Sequence, residues 1–178
     1  MARELAGRFQ RWFEYERDAH EKVLHSLESV PADRQAHPEF ERALAILAHV
    51  AAARRLWLVR LGVLPGPQGT LSPENLTLAE AADLLQSVHG PWAEFLARVT
   101  DEELGRVVEY QSLDAGRFRN RVEDVLAQLF GHSWYHRGQI AMLIRAAGGE
   151  PAVTDLIYWC REGVPSVPLP NSPVDEGG

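Results

Sequence analysis

Residues 122–147, VEDVLAQLFGHSWYHRGQIAMLIRAA, decide the fold expected for this chain. Their apolar residues recur at the spacing of one helix face, which predicts a long helix with a buried side. His132 and His136 fall on that face one turn apart, so both imidazoles can approach a single ion. A core histidine hydrogen-bonded to a carbonyl also explains this short and frequent pattern, and this helix alone leaves both interpretations open. The apolar residues of the face are Val122, Val125, Leu126, Leu129, Phe130, Ile140, Leu143, Ile144 and Ala147.

A third histidine stands in a second apolar helix, predicted from Pro38 to Leu61. Within residues 43–53, ALAILAHVAAA, His49 is the only polar residue. A helix that is apolar around most of its circumference is buried, and an imidazole inside it needs a partner for its nitrogens. That partner is either a carbonyl or a tyrosine, or the ion suggested by His132 and His136.

His49, His132 and His136 together form the candidate metal site. Ser133 follows His132, so the HExxH pattern of zinc proteases is absent. No histidine has Glu three residues before it, which excludes the di-metal sites of ferritin-like bundles. Three neutral imidazoles leave a bound divalent ion its full charge and an open position, as in catalytic sites. Zinc or nickel is favoured, with iron, manganese and cobalt also compatible.

The rest of the pattern predicts two further long helices, a hairpin and a short helix. They are a first helix over Arg3–Val30, a third helix capped by Thr77 and running to Val99, a hairpin over 106–111 and 117–120, and a short helix over 154–162. Gly90-Pro91 should kink the third helix or split it near Ser87. The expected fold is all-α, an antiparallel four-helix bundle with a short β-hairpin between the third and fourth long helices. Residues 1–162 are assigned to the bundle and the proline-rich 163–178 to a flexible C-terminal tail.

Composition excludes several classes of protein. The 178 residues carry a formal charge of −7 without a basic stripe, which argues against a nucleic-acid partner. The chain has no run of apolar residues long enough for a membrane span and no apolar signal segment at its start. The single cysteine, Cys160, rules out an internal disulfide, and packing is its expected role. We expect a cytoplasmic protein with a small-molecule substrate.

Three polar residues close to apolar faces have ordinary expected roles. Glu16 borders the apolar stripe of the first helix, where a carboxylate is usually solvated or paired with a nearby arginine such as Arg11 or Arg17. It is a weak candidate for supporting the metal site. His89, beside Pro91, is expected at the surface or boundary. Arg137 is expected to pair with Asp155 or Glu162.

Residues 132–162, HSWYHRGQIAMLIRAAGGEPAVTDLIYWCRE, resemble the closing segment of the DinB-like (DinB/YfiT) family of bacterial metalloproteins. Residues 48–61, AHVAAARRLWLVRL, resemble that family's second helix, and the segment 106–120 resembles its hairpin. The resemblance implies a four-helix bundle, often homodimeric, with a divalent metal on His49, His132 and His136. The first helix departs from the family: YERDAH, residues 15–20, stands where a Tyr-Asn-x-Trp-Ala-Asn stretch is common, so Tyr15 alone matches. The resemblance therefore implies no role for Glu16, Asp18 or His20.

The resemblance also implies a function. Members of the wider superfamily resemble transferases and isomerases that use low-molecular-weight thiols such as bacillithiol or mycothiol. The leading hypothesis is a metal-dependent thiol S-transferase acting on small electrophiles, in detoxification or stress response. Two alternatives stay open: hydrolysis by metal-bound water with a base such as Glu16, and a non-catalytic bundle in which the ion only joins the second and fourth helices or the acidic surface binds a partner. Whether the protein is an enzyme at all is not decided by the sequence.

Overall fold

Helices make up most of the structure, a computed structural model that describes residues 4–67, 69–114 and 116–163. A small two-stranded antiparallel sheet is the second component. The helices are α1 (Glu4–Glu28), α2 (Pro38–Arg60), α3 (Leu78–Arg98), α4 (Asp101–Leu104), α5 (Val122–Ala146) and α6 (Leu156–Cys160), with a 3-10 turn at Ala32–Arg34 and strands β1 (Val107–Gln111) and β2 (Arg117–Arg121).

The long helices agree closely with the predicted ones. α2 and α5 start at the predicted residues, and α3 is capped as expected: Thr77 Oγ1 accepts a hydrogen bond from the Glu80 amide, and the Glu80 carboxylate accepts one from the Thr77 amide. α3 runs through Gly90-Pro91 without a break, which excludes a split near Ser87, while the alternative of a kink stays a prediction. Trp92, next to Pro91, is buried in the first of the apolar clusters described below.

The ends of the chain differ more from the prediction. The predicted start of α1 at Arg3 lies outside the described residues, and the short helix expected over 154–162 covers only Leu156–Cys160. From residue 164 onward the predicted tail also lies outside them. The sequence analysis missed the 3-10 turn and α4. Thr100 caps α4 through the same Thr-x-x-Glu pattern, here with Glu103, that predicted the start of α3.

Packing between the long helices creates two apolar clusters. α2 packs against α3 and α5, and α1 packs against the same two helices. The first cluster includes Phe9, Phe13, Leu58, Trp92, Leu126 and Phe130. The second cluster includes Val23, Leu27, Leu47, Ala51, Leu85, Ile140 and Ile144. Among the described helices, none combines the length and the apolar content that crossing a membrane requires.

The predicted hairpin is present and leans on the helices. Val107 pairs with Arg121, and the register continues to Gln111 opposite Arg117. Val108 is buried in the first cluster. Because two strands alone are only marginally stable, such contacts with the helices hold the hairpin in place.

Candidate metal centre

Three histidines from two helices meet at one point. Nε2 of His132 lies 3.1 Å from Nε2 of His49 and 3.0 Å from Nε2 of His136. One ligand atom from each of the three residues lies within 4.8 Å of the others. His49 belongs to α2, and the other two are one turn apart on α5, which packs against α2. The side chains that the sequence assigned to one site therefore lie together, and their binding of a metal stays a prediction.

Hydrogen bonds orient two of the three rings. Nδ1 of His49 lies 2.7 Å from the carbonyl oxygen of Leu71, in the segment between α2 and α3. Nδ1 of His136 lies 2.8 Å from the amide oxygen of Gln139. Both oxygens accept, so Nδ1 is the donor in each ring, and Nε2 of the neutral ring carries only a lone pair. These contacts aim the two lone pairs at Nε2 of His132.

The spacing of the nitrogens fits ligands of one ion. Two nitrogens bound at about 2.0 to 2.1 Å, with about 90 to 110° between the bonds, lie roughly 3.0 to 3.4 Å apart. The observed Nε2 separations of 3.0 and 3.1 Å fall in this range. Nε2 of a neutral His132 can donate its proton to Nε2 of His49 or to Nε2 of His136, but not to both. Without an ion, the lone pairs of the remaining two nitrogens would face each other. A divalent ion held by His49, His132 and His136 satisfies all three nitrogens.

The surroundings favour the neutral imidazoles that metal binding needs. Burial, followed by the charges of His136, His49 and Arg54, lowers the pKa of His132 to about 4. Burial also lowers the pKa of His136, against an opposing contribution from its hydrogen bond with Gln139. A proton therefore competes weakly for these nitrogens at neutral pH. All three histidines are only half-buried.

A layer of buried ionic side chains lies beside this centre. Glu16, Arg54 and Arg137 are 0%, 2% and 5% exposed, and each stands along its own helix between residues of the first and second apolar clusters. Arg54 donates a hydrogen bond to Glu16 Oε2, and Nη1 of Arg137 lies 3.9 Å from Glu16 Oε1. Nη2 of Arg137 donates to the Tyr15 hydroxyl at 2.6 Å, and that hydroxyl donates to the Thr154 carbonyl at 2.5 Å. The layer therefore ties α1, α2 and α5 together through charged groups.

Two expectations about this layer are wrong. Glu16 is neither solvated nor paired with Arg11 or Arg17, because its side chain points into the interior, where Arg54 and Arg137 are its ionic partners. Arg137 also points inward, toward Glu16 and Tyr15, and does not pair with Asp155 or Glu162 among the described contacts. Buried charges need buried partners, and these partners come from other helices.

Two histidines extend the layer toward α3. Nδ1 of His20 lies 3.3 Å from Nε2 of His89, and Nδ1 of His89 lies 3.2 Å from the amide oxygen of Gln86. The expected surface or boundary position of His89 is wrong, since His89 is 7% exposed and contacts Phe13 in a T-shaped arrangement. Burial and then the charges of Arg54 and Arg17 lower the pKa of His89 to about 4. Burial and the neighbouring arginines hold the pKa of His20 well below its usual value.

Several residues around the centre escaped the sequence analysis. Arg54 reaches from α2 to Ser133 on α5, with 3.3 Å between Nη2 and Oγ, directly beside His132. Gln139 had a usable signal, because a polar side chain three residues after a helical histidine lies on its side of the helix. Leu71 acts through its carbonyl, so its side chain gave no signal.

Comparisons with known proteins agree with the sequence resemblance. The family model described as DinB family matches residues 1–162. Protein DinB of Bacillus subtilis (strain 168) is 25% identical over 156 residues, which cover 80% of this chain and 88% of that protein. No solved structure matches significantly.

Proposed function

Since this chain belongs to the DinB family, we propose that it is a mononuclear metalloenzyme that holds a divalent ion on His49, His132 and His136. One observation carries the proposal: Nε2 of His132 lies at ligand spacing from Nε2 of both His49 and His136, and the rings of His49 and His136 are fixed by hydrogen bonds from Nδ1. Such outer contacts are what orients metal-binding imidazoles in other proteins. Zinc or nickel is favoured, and iron, manganese and cobalt are compatible.

We propose thiol S-transfer to small electrophiles as the reaction. A divalent ion on three neutral ligands supplies Lewis acidity and stabilises a thiolate over a thiol near neutral pH. The protein's own part is to hold the three rings, to leave a coordination position that a thiol such as bacillithiol can reach, and to keep the site beside an apolar interior. Sulfur attack on a carbon electrophile forms the C–S bond while the leaving group departs with its electron pair.

Hydrolysis by metal-bound water is the weaker alternative. It needs a general base near the open position, and Glu16 was the candidate from the sequence. In the structure the Glu16 carboxylate is wholly buried and bonded to Arg54. A carboxylate that faces the interior and is bonded to Arg54 has no contact with a water at the open position. Glu16 therefore serves better as an internal ionic partner than as a catalytic base.

The metal site is tested by elemental analysis of the purified protein and of His49→Ala. The wild type should contain about one divalent ion per chain, and the variant far less. Added metal at one hundred times its dissociation constant should stabilise the wild type by about 2.7 kcal/mol. The matched control is His25→Ala, which removes an exposed histidine of α1. Failure of the wild type to bind any divalent ion would overturn the proposal.

The reaction is tested with 1-chloro-2,4-dinitrobenzene and a panel of bacillithiol, mycothiol and glutathione. Metal-loaded wild type should form the dinitrophenyl thioether and release chloride faster than buffer does with at least one thiol, and His49→Ala should not. Bound metal without acceleration by any thiol would contradict S-transfer and favour a structural ion that joins α2 and α5.

We also propose that α1, α2, α3 and α5 form an antiparallel four-helix bundle over residues 1–162, and that the protein is a cytoplasmic homodimer acting in detoxification or stress response. The packing of α1 and α2 on α3 and α5 supports the bundle. Tyr135 and Met142, two turns apart on α5, are 65% and 70% exposed, which supports a protein interface. Light scattering of the full chain should give twice the monomer mass.

A further inference from the structure

A cavity of about 550 Å³ lies on the side of α5 away from the histidine centre. Trp134, Gly138, Ala141 and Arg145 of α5 contribute to its lining, and these positions share one helix face. His132 and His136 are about 160 to 200° around the helix axis from Trp134. The cavity is therefore separate from the candidate metal centre.

Arg137 lines this cavity, and its positive charge is not balanced by a carboxylate of its own in the described interior. Arg54 already binds Glu16, so two buried guanidinium groups share one buried carboxylate. Nε and Nη1 of Arg137 have no hydrogen-bond partner among the described residues, and Nη1 is 3.9 Å from the nearest Glu16 oxygen. A buried cation in this state is stabilised by an anion placed next to it.

The guanidinium of Arg137 is held ready for such an anion. Nη2 donates to the Tyr15 hydroxyl, and that hydroxyl is itself committed to the Thr154 carbonyl. Both Tyr15 and Thr154 line the cavity. A group fixed in advance loses little freedom when a ligand arrives.

The remaining lining sets the charge and shape of a ligand. Arg145 is exposed and makes no side-chain ion pair or hydrogen bond within the described part of the chain. Asp155 is the acidic residue of the lining. Two cations and one anion give the lining a net charge of about +1, which a ligand with a single negative charge neutralises. Trp134 and Leu156 supply apolar surface beside these charges.

We propose that this cavity binds a small monocarboxylate with an apolar body, its carboxylate toward Arg137 and Arg145 and its body against Trp134 and Leu156. The exposed guanidinium of Arg145 matches a planar carboxylate through paired hydrogen bonds, and the charge of the buried Arg137 adds attraction. The apolar wall favours an aromatic or branched aliphatic body. This site is independent of the proposed reaction, because it lies on a different face of α5.

Isothermal titration of the full-length protein with 3-phenylpropionate tests the proposal. The neutral 3-phenylpropionamide, of the same shape, should bind at least about tenfold more weakly. Chelation of metal should leave the carboxylate affinity unchanged, which separates this cavity from carboxylate binding at the histidines. Equal affinity for acid and amide, or loss of binding after chelation, would overturn the proposal.

Two pairs of variants locate the binding. Arg145→Gln should weaken binding about fivefold, while Arg42→Gln, the same change at an exposed position of α2, should alter it less than about twofold. Gly138 has open space where a Cβ would stand, so Gly138→Leu should fill the cavity and abolish binding without destabilising α5. Gly131→Leu, at another open glycine of α5 outside the lining, is its control. Binding that survives Gly138→Leu, or that falls equally in both members of a pair, would contradict the proposed location.

Discussion

Glu16 of α1 accepts a hydrogen bond from Arg54 of α2 in the interior of the protein, with 0% and 2% of these residues exposed. The pair lies between the two apolar clusters, and Arg54 also contacts Ser133 beside His132. A charged pair thus joins α1 and α2 next to the part of α5 that carries the candidate metal ligands. Burial lowers the pKa of Arg54, against the attraction of Glu16, so the carboxylate is what keeps this guanidinium stable inside.

Replacement of Glu16 by glutamine should destabilise the protein strongly. The change leaves two buried guanidinium groups, Arg54 and Arg137, without any buried carboxylate. Breaking a buried ion pair from one side typically costs about 3 to 5 kcal/mol. Urea unfolding followed by circular dichroism measures this loss.

The control for that experiment is Glu14→Gln, which removes an exposed carboxylate from the same helix. It should change the free energy of unfolding by less than about 0.5 kcal/mol. If Glu16→Gln were as stable as this control, the buried pair would contribute nothing to the fold.

Helix boundaries and the histidine cluster were predictable because their signals are local. His49 was the one polar residue of an apolar stretch, and His132 and His136 shared a helix face with apolar neighbours. The Thr77 and Glu80 capping box likewise depends on residues three apart. Each of these features follows from the periodicity of a single helix.

The ionic layer could not be predicted in the same way. Glu16 and Arg54 are 38 residues apart in the sequence. Each residue lies beside the apolar stripe of its own helix, a position that is typical of a charged residue in contact with solvent. Only the packing of helices decides whether such a charge meets water or a partner. The same reason explains the wrong expectations for His89 and Arg137. His89 contacts Phe13 and His20 of α1, and Arg137 contacts Glu16 and Tyr15 of the same helix.

Gln139→Leu should weaken metal binding about 10- to 100-fold, the usual effect of losing an outer contact of a ligating histidine. The variant removes the oxygen that accepts from Nδ1 of His136 and fixes its tautomer. Gln139→Glu keeps an acceptor and should retain the affinity. Gln128→Leu, an exposed position on the same helix, is the matched control. Competition with a coloured chelator gives the affinities, and an unchanged affinity in Gln139→Leu would contradict this role.

Acid should destabilise the protein through His20 and His89. Their pKa values in the folded state are lowered, to about 4 for His89, so the unfolded chain takes up protons first as the pH falls. The stability from both groups is fully present above about pH 6.5, their unfolded pKa, and falls as the pH falls. The part that comes from His89 is lost as the pH falls through about 4, and with solvent screening it should amount to about 1 to 3 kcal/mol.

His89→Gln tests that assignment, because it removes one titrating group and keeps a side-chain acceptor for Nδ1 of His20. The free energy of unfolding should then fall less steeply between pH 6.5 and 4 than in wild type. The exposed His25 provides the comparison, and His25→Gln should follow the wild-type curve. Identical slopes in the two variants would mean that the buried histidines do not set the acid sensitivity.

Tyr110→Ala should weaken the packing of the hairpin on α2 and leave the helices folded. The Arg60 guanidinium lies 4.5 Å from the Tyr110 ring centre and 4.8 Å from that of Trp57, so a cation between two aromatic rings anchors β1 on α2. Such contacts contribute about 0.5 to 2 kcal/mol each, enough to decide the fate of two marginal strands. Amide hydrogen exchange should accelerate across β1 and β2 and stay slow in α2. Leu113→Ala, at the exposed turn of the hairpin, should leave the exchange of both strands unchanged. Equal acceleration in both variants would place the anchor elsewhere.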